Sequence, residues 1–470
     1  MLPATTLATP SLNSALPRRQ RRASDITAAR LGRATLGYLT VMMGIITLAP
    51  FHFAAAPVHG LSPLWTVSDI VMNVLMFLPF GFVYQLTRPS GAPASMLRVL
   101  CYGALLSACV ETAQLFEAER YSSLVDVTTN AIGAVVGAYA YGAIVRRIEG
   151  ENAVRSLALE LPLMALVYLM VPLSWLTGLV SAYTARGWLA LPIAIFAGSV
   201  LGTVQAAYLA PTRGVARGWL LLGAALWFVV AIVPSVRGNQ LLLIVSAVAT
   251  VGSAWLCSVF VARYRLVHGE QRFELRTLRL VMPLFASYLA LSSLWPIDIA
   301  TAPWRGSLAL IPADAALTTR AIYLLLEHFA AFTLVGYIIA EFYGRDLARY
   351  REVAPRVIAW GGCVSVLLEV TRGFHPLYGA SLLTFGFTIA SCVVGGWIYQ
   401  LQREHVRALL RRRGTWSLKT GNYTPIVNDR VDATLPLSAP IPSAPIPSAP
   451  IPSAPIPSHE HAPTFDRRTA

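Results

Sequence analysis

Twelve stretches of mostly apolar residues follow one another between residues 35 and 401, each about long enough to cross a bilayer. A helix needs about 20 residues to span the hydrocarbon. The expected spans are 35–55, 68–87, 96–116, 124–146, 157–181, 187–210, 217–235, 240–262, 278–296, 320–342, 354–372 and 379–401. Only 13% of the chain is charged, and its mean hydropathy is +0.59. Soluble chains carry about 25% charged residues. The fold class is therefore an all-α polytopic membrane protein with about twelve transmembrane helices.

The net charge of +14 comes mostly from arginine. In a soluble protein it would suggest nucleic acid. Here the arginines lie between the apolar runs, so no nucleic-acid partner is expected and the lipid bilayer is the expected one. Arg-rich segments (18–33, Arg88 with Arg98, 146–155, Arg213 with Arg217, 263–279, 345–356, 403–413) alternate with Arg-poor loops. The positive-inside rule then puts both termini in the cytoplasm and fixes an even number of spans. Residues 1–34 read as a basic cytoplasmic arm. The run after it ends in FHFAAAP, a faint cleavage-site pattern, and the expectation is a retained first span. Cys101, Cys109, Cys257, Cys363 and Cys392 sit inside apolar segments without metal-ligand or disulfide spacing, and read as packing residues. From 414 to 470 the chain changes character: APIPS occurs four times in succession from 439 to 458. That tail is expected to be extended and disordered, and the His459-Glu460-His461 triplet is read as part of it.

Polar residues within the spans are costly and mark function by default. Span two opens with Asp69 and Asn73, span three ends near Glu111 and Gln114, and span four opens with Asp126 and Asn130. The i,i+4 and i,i+3 spacings put each pair on one helix face. With the alternation of loops, all six fall in one layer at the extracytoplasmic interface, with Arg120 and Tyr121 in the loop above. One account is interhelical glue. The other is a functional pocket, because three carboxylates in one layer need protons, an Arg partner, a cation or a polar ligand. Gly133 and Gly137 form a small-xxx-small face on span four, and Pro79 with Gly81 is expected to kink or end span two.

Asp69, Asn73, Phe77, Pro79 and Gly81, then Glu111 and Gln114, then Asp126, Asn130, Gly133 and Gly137 together resemble the VanZ family. The resemblance covers about 35–146. It implies a four-helix bacterial membrane domain and a cytoplasmic-membrane location. The founding member is linked to low-level resistance to the glycopeptide teicoplanin, and no activity is settled for the family.

The far end of the chain aligns with the near end. Segment 328–337 lies on 73–82, and 363–396 lies on 105–138 without a gap. Phe332 then falls on Phe77, Gly336 on Gly81, Glu369 on Glu111 and Gly395 on Gly137. Leu324 stands at the place of Asp69, His328 at Asn73, Arg372 at Gln114, and Thr384 and Thr388 at Asp126 and Asn130. Residues 278–401 are thus expected to be a degenerate second copy, with four additional helices at 157–262 between the two. Chance alignment of apolar helices is the competing account. His328, Glu369 and Arg372 form its candidate site, with His375 as a neighbour that would join the ion pair. A plain Glu369–Arg372 bridge is the simpler expectation.

Three function classes follow. The first is binding or modification of a polar envelope ligand, lipid-linked or of peptidoglycan-precursor type, at the extracytoplasmic face. The second is a membrane enzyme that uses the clustered carboxylates as acid or base or to hold a divalent cation such as Mg²⁺. No Ser–His pair, phosphate loop or zinc motif selects a reaction, so no catalytic residue is assigned and the enzyme question stays open. The third is a transporter, which the repeated half suggests and the placement of the acids away from the midplane opposes.

Overall fold

A computed structural model describes residues 18–413, apart from 63–64, 89–93, 148–150, 210–214, 237, 269–272, 298–302, 308–317, 345–348 and 377–378. The first half of the expected arm and the whole APIPS tail lie outside the described residues.

Twelve α-helices are described, and each expected span falls on one. The first four are α1 (Arg18–Leu48), α2 (Val67–Leu86), α3 (Met96–Gln114) and α4 (Leu124–Arg147). The middle four are α5 (Glu151–Ser181), α6 (Ala190–Leu209), α7 (Val215–Ala231) and α8 (Gln240–His268). The last four are α9 (Phe273–Leu294), α10 (Thr319–Gly344), α11 (Tyr350–Gly373) and α12 (Leu382–Arg413). Among the described residues nine helices are long and apolar enough to cross a membrane. α5 and α7 add shorter apolar stretches, Ala165–Ser181 and Leu221–Ser235. The remaining helix, α4, carries Asp126 and Asn130. Leu97 and Leu105 on α3, Leu241 and Val248 on α8 and Leu367 on α11 are all more than half exposed, the apolar surface a multi-pass membrane protein turns to lipid.

The helical part of the N-terminal segment is longer than expected. α1 starts at Arg18, within the stretch read as an arm. Ala28 and Leu31 are buried, Arg30 pairs with Glu404 at 2.8 Å, and Thr27 lies 3.3 Å from the His405 ring. Packing against α12 thus extends the helix into the basic segment. It also joins the start of the first helix to the end of the last.

In each third of the chain the second and fourth helices make the most extensive contact: α2 with α4, α6 with α8, and α10 with α12. Glycine makes this approach feasible. A Cβ on Gly81 would overlap the Ala134 carbonyl, and one on Gly137 the Leu78 carbonyl. A residue without a side chain lets two backbones come this close. Gly336 meets the Cys392 carbonyl and Gly395 the Thr333 carbonyl in the same way. These are the pairings that the alignment of the two ends requires, residue for residue. Gly202 of α6 likewise meets the Ala254 carbonyl of α8.

The loops at one end of the bundle correspond too. The Val58 N–H donates to the Leu115 carbonyl and the Ser62 N–H to the Ser122 carbonyl, both at 2.8 Å. Leu61 and Ser122 form a parallel bridge. In the last four helices the Arg305 N–H donates to the Gly373 carbonyl at 2.8 Å. There, strand β1 (Gly306–Ser307) pairs in parallel with β2 (Ala380–Ser381).

Candidate functional site

α2 begins with a capping box. The Asp69 N–H donates to Thr66 Oγ1 at 3.2 Å, and the Thr66 N–H donates back to Asp69 Oδ2 at 3.0 Å. The Thr66 hydroxyl adds a 2.7 Å bond to the same oxygen. This satisfies donors that a helix start leaves without intrahelical partners, and it sets a negative charge at the positive end of the helix dipole. Asp69 is exposed. A carboxylate at the head of a membrane helix therefore has a local structural task.

One turn on, the Asn73 side chain lies near the carboxylate of Asp126, and Asp126 is within electrostatic reach of both Asp69 and Glu111. Glu111 is 7% exposed, and its Oε2 accepts the N–H of Ser123, just ahead of α4, at 2.7 Å. It thereby clasps α3 to the start of α4. Asn130 is buried and donates to Ser107 Oγ at 2.8 Å, tying the same two helices one turn deeper. Gln114 donates from Nε2 to the Thr47 carbonyl at 2.9 Å, near the end of α1. The structure thus brings Asp69, Asn73, Glu111 and Asp126 into one cluster, and places Gln114 and Asn130 beside it with partners of their own.

The adjoining cation is Arg120. It donates to the Ala49 carbonyl at 3.0 Å and to the Tyr323 hydroxyl of α10 at 2.6 Å. Tyr323 in turn donates to the Ile46 carbonyl at 3.0 Å. A guanidinium at the C-terminus of α1 complements the carbonyl end of that helix.

Asn73, Gln114, Arg120 and Tyr323 are among the residues that line a cavity of about 560 Å³. Met76, Trp175 and Leu242 line much of the rest, so the space is mainly apolar with a few converging polar groups. That is the usual make-up of a ligand site. Its walls come from all three thirds of the chain.

The positions that align with this cluster in the last four helices also border a cavity, of about 260 Å³. Leu324, His328, Arg372 and Thr384 line it. Glu369 Oε2 accepts the Ser381 N–H at 2.6 Å, the same clasp that Glu111 makes with Ser123. Its Oε1 accepts from Arg372 Nη1 at 3.1 Å. The His328 ring lies 2.6 Å from the Thr388 hydroxyl. His375 bonds the Pro296 carbonyl at 2.6 Å, while the ion pair itself is between Glu369 and Arg372.

One charged pair was not singled out in the sequence. Arg186, 1% exposed, bonds Glu327, 3% exposed, and also the Ser292 carbonyl. Thr177 at 2.9 Å and Tyr288 at 3.1 Å both donate to Glu327 Oε1. An acid one residue before His328, inside an apolar run, was the available signal. As for a metal, among the described residues no three His, Cys, Asp or Glu side chains converge to hold one.

A family model described as VanZ/LLP1 matches residues 22–148. Residues 22–148 are a VanZ-like domain. The match ends one residue past α4, so the VanZ-like domain and the first four helices coincide. No curated protein matches the chain, and no solved structure matches it.

Proposed function

We propose that this VanZ-like membrane protein binds a polar cell-envelope ligand, lipid-linked or of peptidoglycan-precursor type, at the extracytoplasmic end of its bundle. The observation that carries the reading is the cavity beside the polar layer, which Asn73, Gln114 and Arg120 line together with Met76 and Trp175. Such a wall suits an amphiphile whose polar group meets the amides and the guanidinium while its apolar part lies against Met and Trp. The alternation of Arg-rich loops supports the orientation. It also supports a place in a bacterial cytoplasmic membrane with both termini inside. The VanZ resemblance implies altered glycopeptide sensitivity as the phenotype of losing this site.

Binding is favoured over chemistry because of where the carboxylates are used. Asp69 serves the cap of α2 and Glu111 the start of α4, so two of the three acids hold the helices that form the wall. We also read 278–401 as an altered second copy of the VanZ-like domain, on the strength of the matching glycine contacts and the matching Glu–Ser clasp.

The test is native mass spectrometry of full-length protein extracted from its membranes. Wild type should retain an envelope lipid or precursor. Met76→Trp, which fills the cavity, and Arg120→Ala should lose it while expressing normally. Retention in both variants would refute the reading.

A further inference from the structure

We propose that the smaller cavity, in the last four helices, is a separate site for a compact phosphate group, free or carried as a monoester on a lipid. The argument is an inventory of donors and acceptors. The wall offers the Arg372 guanidinium and the Thr384 and Ser293 hydroxyls, while the His328 ring is engaged with Thr388 and the Ser292 hydroxyl with the Leu289 carbonyl. The one carboxylate in the wall, Glu327, is neutralised: one oxygen takes Arg186, and the other takes Thr177 and Tyr288. Glu369, behind Arg372, divides its oxygens between Arg372 and the Ser381 N–H. The acids are thus engaged within the protein, and the surface they leave towards the cavity is rich in donors.

The comparison with the VanZ-like domain sharpens this. At the aligned positions the residues around the two polar layers differ in charge. Asp69 becomes Leu324, Asp126 becomes Thr384, and Gln114 becomes Arg372. Two carboxylates are removed and one guanidinium is added, on a backbone with the same glycine contacts. A planar fork of N–H donors flanked by hydroxyls matches the several oxygens of a phosphate better than any neutral group. With a volume of about 260 Å³, the cavity has room for a head group and a short stem against Leu324 and Leu325. This site does not depend on what occupies the larger cavity.

The experiment is calorimetric titration of full-length protein in detergent, with inorganic phosphate in one arm and a lysophosphatidic acid in the other. Saturable binding of at least one probe is expected. Competition between the two assigns the site to the phosphate itself; binding of the lipid probe alone assigns it to a lipid head group. Arg372→Gln, which installs the residue of the VanZ-like domain, should weaken binding about tenfold or more, and Arg372→Lys less. Thr384→Asp, which restores the acid found at Asp126, should weaken it similarly, and decides the matter if Arg372→Gln does not fold. Absence of saturable binding for both probes, or wild-type affinity in a folded Arg372→Gln or Thr384→Asp variant, overturns the proposal.

Discussion

α1–α4 and α9–α12 make the same backbone contacts with different chemistry at their polar layer. Gly81 and Gly336 meet carbonyls at corresponding positions, and so do Gly137 and Gly395. Glu111 and Glu369 accept N–H groups at corresponding positions. Asp69, Asn73, Gln114, Asp126 and Asn130 are all replaced, by Leu324, His328, Arg372, Thr384 and Thr388. The glycine contacts and the Glu clasp recur, and of the positions that vary Asn73, Gln114, Leu324, His328, Arg372 and Thr384 line a cavity. A single Glu therefore separates from the other acids: it is kept where the site is changed, which assigns it to architecture.

The comparison breaks first if the glycine contacts are not equivalent. Gly81→Leu and Gly336→Leu should each be the most damaging substitutions, since a side chain there collides with backbone that cannot yield. Overpacking costs roughly 3 kcal/mol or more, and loss of folded protein by size-exclusion chromatography is expected for both. Tolerance of one and not the other would mean the two helix pairs differ in kind.

Next is a feature with no counterpart in the VanZ-like domain. Glu327→Gln should strand Arg186 in the interior, at about 3–5 kcal/mol, seen as a large drop in thermal midpoint. Met72 aligns with Glu327, so Met72→Gln should fall well short of that.

A finer measure is the clasp. Glu111→Gln should cost roughly 1.5–3 kcal/mol, the range for hydrogen bonds to charged groups, and Glu369→Gln somewhat more, because it also gives up the Arg372 pair. A larger loss in thermal midpoint for Glu111→Gln than for Glu369→Gln would show that Glu111 does more than clasp. The smallest effect is expected at Asp69. Asp69→Leu, the residue found at the aligned position, removes a capping box worth about 1 kcal/mol. If it instead abolished ligand retention with no change in midpoint, Asp69 would belong to the site and not to the helix.

Much of the fold was legible because lipid imposes a simple code. Apolar length gave each helix, and arginine placement gave a consistent alternation. The polar layer was legible because polar residues are rare in such spans. Their partners were not. Tyr323 meets Arg120 across 203 positions, and Glu327 meets Arg186 across 141, and neither distance leaves a periodic trace. Asp69 was read as a ligand group although Thr66-Val67-Ser68-Asp69 has capping-box spacing. The close pairing of α6 with α8 was hidden for another reason. Gly202 supports it, but neither of these helices carries an acid to flag it.

The start of α10 is shared ground. Tyr323 borders the larger cavity, and Leu324, Glu327 and His328 border the smaller. A substitution in this stretch is therefore judged by one chamber or the other. A saturation library across 323–328 should tolerate fewer replacements than one across 366–371, where Val366, Leu367 and Val370 lie on a surface with neither cavity behind it. A stretch that serves as a party wall has less freedom to drift than either room it divides.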